Sequence, residues 1–286
     1  MSHKILVPTD FSKNAAHALN YAIDVAKHLN AKLILLHAYN IDLATSYIPV
    51  NLIEEEIRKA EENSDIKLKA LQTKVAHAGH INCECTSMHG DVVEATLSTI
   101  KEKDVDLVIM GTQGASGING LFFGSNTAAV VEKANCPVMA IPDDTHINKL
   151  QKITYASNYH HSDIETIADI IDLAKAYNAQ INVLHITPET EFAGEEKKKM
   201  KQFIADVSKR INYNNMSFQL LHGENPEEKL AEYLQDDITD LLVISTQHRT
   251  FYEKIVEKSI TKKLVQYVKV PVLAFHNKKA ETITIY

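Results

Sequence analysis

Short runs of consecutive apolar residues recur along the chain, each followed by a longer stretch in which apolar positions return every three or four residues. In the first half the short runs fall near 4–9, 32–39, 82–89, 106–110 and 136–141. They are rich in β-formers, and their lengths suit buried strands and are too short for helices. The intervening patterns predict helices over 13–29, about 52–77, 91–102 and 125–134. Each is long enough to carry the chain back across a sheet, so the strands are expected to run parallel. Alternation of this kind predicts a doubly wound α/β unit.

The second half repeats the first. KILVPTDFS from Lys4 is answered by KITYASNYH from Lys152, and LILLHA ending at Ala38 by INVLHI ending at Ile186. MHGD from Met88 corresponds to LHGE from Leu221, DLVIMGTQG from Asp106 to DLLVISTQH from Asp240, and CPVMAI from Cys136 to VPVLAF from Val270. Two units are therefore expected, over residues 1–144 and 150–280, joined by the polar segment PDDTHINKLQ that begins at Pro142.

Composition narrows the class. The 286 residues are 45% hydrophobic, which suits two ordinary globular domains. No apolar run approaches the length of a membrane span, and the opening MSHKILVPTD enters a strand without the pattern of a signal peptide. A cytoplasmic protein that does not engage a membrane is expected. Three cysteines are too few for a disulfide framework, and a formal net charge of −7 argues against a nucleic-acid surface. A polyanionic ligand would have to be held by local amides and dipoles, because the field of the whole chain repels it weakly.

One segment offers such amides. In DLVIMGTQGASGINGLFFGSNTAAVV, Gly111, Gly114 and Gly124 are spaced Gly, two residues, Gly, nine residues, Gly, Ser, between a predicted strand and a predicted helix. Glycines let backbone approach a phosphate, and the first amides of a helix have no partners within it. Ser125 or Asn126 is expected to cap that helix. The segment is not a Walker loop, since no Gly, four residues, Gly-Lys-Ser/Thr string occurs, and no Gly-x-Gly-x-x-Gly follows a strand.

Other conspicuous residues read as structural. His77, His80, Cys83 and Cys85 match no common zinc spacing, and no metal site is assigned. Cys83 and Cys85, two apart on a strand, share a face and are expected in the core. His37 and His185 end matching strands, which shared structure explains. Asp10, next to Phe11 and Ser12, is either a ligand contact or a helix cap.

Taken together, PTDFS, the LLH strand end, a glycine after the third strand and the glycine loop resemble the universal stress protein family over nearly the whole chain. That resemblance implies five parallel strands in the order 3-2-1-4-5 in each half, a fold of the adenine nucleotide alpha hydrolase type, with ATP at the carboxyl ends of the strands. It places Pro8, Thr9 and Asp10 against the adenosine and the Ala38 backbone at the adenine edge. Met110, Gly111, Gln113 and Gly114 run beneath the ribose and phosphates, and Gly124, Ser125 and Asn126 meet the terminal phosphates. Mg²⁺ is expected with the triphosphate, with no residue assigned to it. The second half departs from this pattern: Ser245, His248 and Lys258 replace the three glycines and Asn158 replaces Asp10.

No catalytic residue is assigned. Arginine is absent between Lys101 and His146, and the loop holds no lysine, so the parts that phosphoryl transfer requires are not assembled. A stress-linked regulator that binds ATP in its first half is the leading reading, with a slow ATP hydrolase and a nucleotide-free adaptor as alternatives. The last apolar strand of each half, Cys136–Ile141 and Val270–Phe275, is expected at a sheet edge. Pairing of the two edges within the chain is expected, and a homodimer is a further possibility.

Overall fold

The computed structural model describes residues 3–41, 50–112, 124–143, 145, 149–188, 193–236, 239–245 and 270–275. They fall into two compact units that part after Asp143.

The first unit runs β1 (Lys4–Pro8), α1 (Lys13–Leu29), β2 (Lys32–Tyr39), α2 (Val50–Ala78), β3 (Cys83–His89), α3 (Val92–Lys103), β4 (Leu107–Gly111), α4 (Ser125–Lys133) and β5 (Val138–Ile141). Its strands lie in the order β3-β2-β1-β4-β5, and every neighbouring pair is parallel. The second unit runs β6 (Lys152–Ala156), α5 (His161–Tyr177), β7 (Gln180–Thr187), α6 (Ala193–Arg210), β8 (Met216–His222), α7 (Pro226–Asp236), β9 (Leu241–Ser245) and β10 (Val272–Phe275). Its order is β8-β7-β6-β9-β10, again all parallel. Both are doubly wound sheets in the order 3-2-1-4-5.

The continuous apolar runs become central strands because helices cover both faces of the sheet. Ile5, Leu6, Val7, Leu33, Leu35, Val108 and Ile109 are fully buried. Across them α1 lays a row of small residues, Ala15, Ala18, Ala22 and Ala26, which lets the helix sit close to the sheet. Ser12 starts α1 by accepting the Ala15 amide, and Asn30 ends it in the left-handed region at φ 51°. Asn178 repeats that stop at φ 53°.

Four of the five strand ranges in the first unit shift by one or two residues, and two of these shifts have a clear physical cause. β1 stops at Pro8 because the chain turns at once: Phe11 takes φ 64° while the Thr9 side chain accepts the Phe11 amide. β5 begins after Pro137, which has no amide to give a ladder. Cys83 and Cys85 are part-buried rather than fully in the core, a partial correction to their expected placement. They lie on β3, the end strand of its sheet's order, beneath α2. Burial pushes the Cys83 thiol up to about 12, so it stays protonated.

Candidate functional site

In an open sheet wound this way, β1 and β4 are neighbours whose crossovers leave in opposite directions, and the crevice opens at their carboxyl ends. A cavity of about 420 Å³ occupies that place in the first unit. Pro8, Thr9 and Asp10 form one wall at the end of β1, and Ala38 enters from β2. Met110 and Gly111 enter from β4, and Gly124, Ser125 and Asn126 close the far end where α4 begins. The structure thus brings together each of the expected site residues that it describes. Gln113 and Gly114 lie outside the described residues.

Backbone geometry explains what these positions offer. Leu36 gives its carbonyl to the Thr9 amide at 2.8 Å. Two residues further along a strand the backbone faces the same side, so Ala38 turns its amide and carbonyl toward β1 where β1 has already ended. At the other wall, Gly124 is itself the N-cap of α4, extended at φ −60° and ψ 159°, with no side-chain cap hydrogen bond. This corrects the expected cap: Ser125 is the first helical residue, and Gly124 has no side chain to fold over the helix end. The opening turn of α4 therefore faces the cavity with no N-cap side chain over its dipole. Thr127 steadies that turn by donating its hydroxyl to the Gly111 carbonyl at 2.8 Å.

Gly111 packs tightly against its neighbour. A Cβ there would stand 2.6 Å from the Asn14 side-chain oxygen and 2.8 Å from its Cγ. In the second unit the equivalent positions are Ser245 and Ser162, so a larger residue on the strand accompanies a smaller one on the helix. Gly111→Ser is accordingly expected to cost about 1–3 kcal/mol, and Asn14→Ser in the same chain to recover most of it. A double-mutant cycle by chemical denaturation measures the coupling; strict additivity would contradict the contact.

Asp10 is exposed, and its carboxylate accepts the Ser12 amide at 2.9 Å. Ser12, not Asp10, caps α1. Beneath this turn His37 stacks on Phe11, with ring centroids 4.4 Å apart, and bonds Ser64 at 2.8 Å. Burial, and then Lys67, holds the His37 imidazole below its ordinary value, against an opposing pull from Asp10. The second unit repeats the pair: Tyr159 at φ 61° stacks on His185 at 4.6 Å. Both histidines thus brace a strained turn, which gives them a structural role.

Sequence reasoning missed one wall. Asn40, Gly90, Asp91 and Val92 also line the cavity, as do Ala15 and Thr127. Asp91 accepts the Val93 and Glu94 amides and so caps α3. Gly90 turns at φ 125°. The repeated MHGD and LHGE strings carried the signal for this wall. Among the described lining residues none is lysine, arginine or histidine, and among the described residues no group of three or more His, Cys, Asp or Glu could hold a metal ion.

At the matching place the second unit keeps only about 40 Å³. Ile186 replaces Ala38, Ser245 replaces Gly111, and Pro226 and Leu230 line what remains. Behind it Asp163, where the first unit has Ala15, is fully buried. It accepts hydrogen bonds from the Tyr155 hydroxyl at 2.9 Å, the Ser157 hydroxyl at 2.7 Å and the Asn158 amide at 3.0 Å. Burial, and then Asp163, pushes the Tyr155 phenol well above its ordinary value.

Fold and cleft together define a tandem α/β protein with an open strand-end site in its first unit and, among the described residues, a much smaller one in its second. The sequence profile of the universal stress protein family matches residues 1–142 and again residues 150–276, and the chain belongs to that family, carrying its unit twice. Universal stress protein YxiE of Bacillus subtilis (strain 168) is 31% identical over 149 residues, which is 49% of this chain and 99% of that one. The crystal structure of a universal stress protein from Archaeoglobus fulgidus DSM 4304 covers 98% of both chains at a TM-score of 0.73 and 18% identity, a likeness of fold. A universal stress protein solved in complex with cAMP is 26% identical, covering 49% of this chain and 96% of its own at a TM-score of 0.39. Among the described residues no helix is long and apolar enough to cross a membrane.

Proposed function

We propose that this chain is a stress-response regulator that binds an adenine nucleotide, ATP first, in its first unit, while the second unit is structural. The observation that carries this reading is the cavity of about 420 Å³ in which strand-end backbone and the start of α4 face one another. Its size lies in the range of small-molecule sites. Ala38 would pair with the adenine edge through its backbone, Asp10 would accept from the ribose, and the α4 amides would hold the phosphates. Mg²⁺ would enter with the triphosphate and neutralise part of its charge.

Binding without rapid turnover suits this lining better than hydrolysis does. Stabilising a transferring phosphoryl group calls for a cationic side chain and a group that orients water, and the described lining residues supply no cation. A cytoplasmic location fits such a ligand. Freshly purified protein, denatured and analysed by mass, is expected to release adenine nucleotide. Stripped protein should gain about 2.7 kcal/mol of stability at ATP one hundred times its dissociation constant. A melt unmoved by saturating ATP would favour the nucleotide-free adaptor, and steady phosphate release in proportion to protein would favour the hydrolase.

A further inference from the structure

A second cavity, larger than the first, belongs to neither strand-end site. About 820 Å³ of groove lies between the start of α5 and the length of α6 in the second unit. Its floor is apolar, with Phe203 and Ile164 buried and Tyr159 half-buried. Its rim is basic: Lys198 and Lys199 stand at one end, and Lys209 and Arg210 at the other. In a chain whose formal net charge is −7 this is a local reversal of sign.

The Arg210 end is the more specific. Lys199 is neutralised by Glu196 at 2.7 Å, and Lys209 by Asp206 at 2.9 Å. Gln202 also donates to Asp206, at 3.0 Å, so that carboxylate is engaged. The Arg210 guanidinium instead faces the His161 ring nitrogen at 3.2 Å. Guanidinium has no acceptor and does not lose its proton, so it donates and the imidazole accepts. Its charge is then balanced by no carboxylate among the described residues. Lys198, likewise without an ion pair among the described residues, is about 18 Å away along the helix axis, too far to share one anion with Arg210.

The first unit shows what the groove has lost. There the equivalent of Tyr159 is Phe11, and the Lys67 ammonium lies over its ring at 5.2 Å. In the second unit Tyr159 meets Phe203 instead, with ring centroids 5.1 Å apart. The ring that meets a lysine in one copy meets an aromatic side chain in the other.

We infer that the α5–α6 groove is a binding site for an organic phosphate with an apolar or aromatic body, its phosphate held by Arg210 beside His161 and its body lying along Phe203, Ile164 and Tyr159. Planar guanidinium grips two phosphate oxygens at once, the apolar floor favours a ring over water, and Lys198 steers the anion inward. The site is separate from the nucleotide cavity, and the inference does not rest on the function proposed for that cavity.

The test uses the full chain, labelled at histidine and titrated at low salt with phenylphosphonate, which does not hydrolyse. Saturable shifts of the His161 ring signals are expected, weakened about tenfold in Arg210→Gln by the loss of one charge-assisted contact. Gly124→Glu should leave these shifts unchanged, which separates them from binding at the first cavity. Absence of saturable shifts at His161, equal affinity in Arg210→Gln, or equal response to neutral benzyl alcohol would overturn the inference.

Discussion

Gly124→Glu is expected to abolish nucleotide binding while leaving the fold intact. Gly124 sits at φ −60°, a conformation open to any residue, so the new side chain strains no backbone. A carboxylate at the start of α4 complements the helix dipole, and stability should hold or rise slightly. The same carboxylate would stand where the proposed site puts the phosphates of a nucleotide, blocking them by size and by charge. A loss of at least about 100-fold in affinity, or roughly 2.7 kcal/mol, is expected. Calorimetric titration with ATP measures it, with circular dichroism as the check on folding. Affinity within a few-fold of wild type would remove α4 from the site.

Asp163→Ala should produce a large loss of stability in the second unit. The carboxylate is fully buried and accepts from Tyr155, Ser157 and the Asn158 amide, with the His160 amide at 3.2 Å completing the set. Removing it leaves buried donors with no acceptor, a cost of about 3–5 kcal/mol. For a unit of this size that lowers the melting temperature by about 10–18 °C. The transition of the second unit should move and that of the first should not. Asp163→Asn keeps the shape but offers one acceptor oxygen in place of two, and should fall between. A change of under 1 kcal/mol in the alanine variant would mean that water replaces the carboxylate and that the turn after β6 is held by other contacts.

These two residues mark the limits of what the sequence discloses. The fold was legible because each apolar run is bounded by turn chemistry and the whole pattern occurs twice, so errors in one half are corrected by the other. The strand-end site was legible for a related reason: residues that close a ligand cavity in this fold lie at predictable places, the ends of β1, β2 and β4 and the start of α4. The wall formed by Asn40 and Gly90 to Val92 was not, because it depends on β3 delivering α3 to the same crevice. The cap of α4 was misjudged for want of geometry. A serine next to a glycine reads as a cap until the backbone shows which of them is helical.

Packing across the sheet was the least visible. That Gly111 answers to Asn14 requires knowing that α1 lies over β4, although the paired change to Ser245 and Ser162 left a trace in the repeat. Asp163 gave no such trace. An aspartate three residues into a helix normally reads as a favourable charge near its start, and only the fold puts Tyr155 and Ser157 around it. The basic groove left no usable signal either: a run of lysines on a helix usually marks a solvated face, and its partner wall, His161, comes from another helix.

Calorimetric titration of nucleotide-stripped protein with ATP tests the assignment of the first unit most directly. One equivalent per chain is expected, lost in Gly124→Glu and retained in Asn158→Ala at the smaller counterpart. Two equivalents, none, or one that survives Gly124→Glu would contradict a single site built from the ends of β1, β2 and β4 and the start of α4.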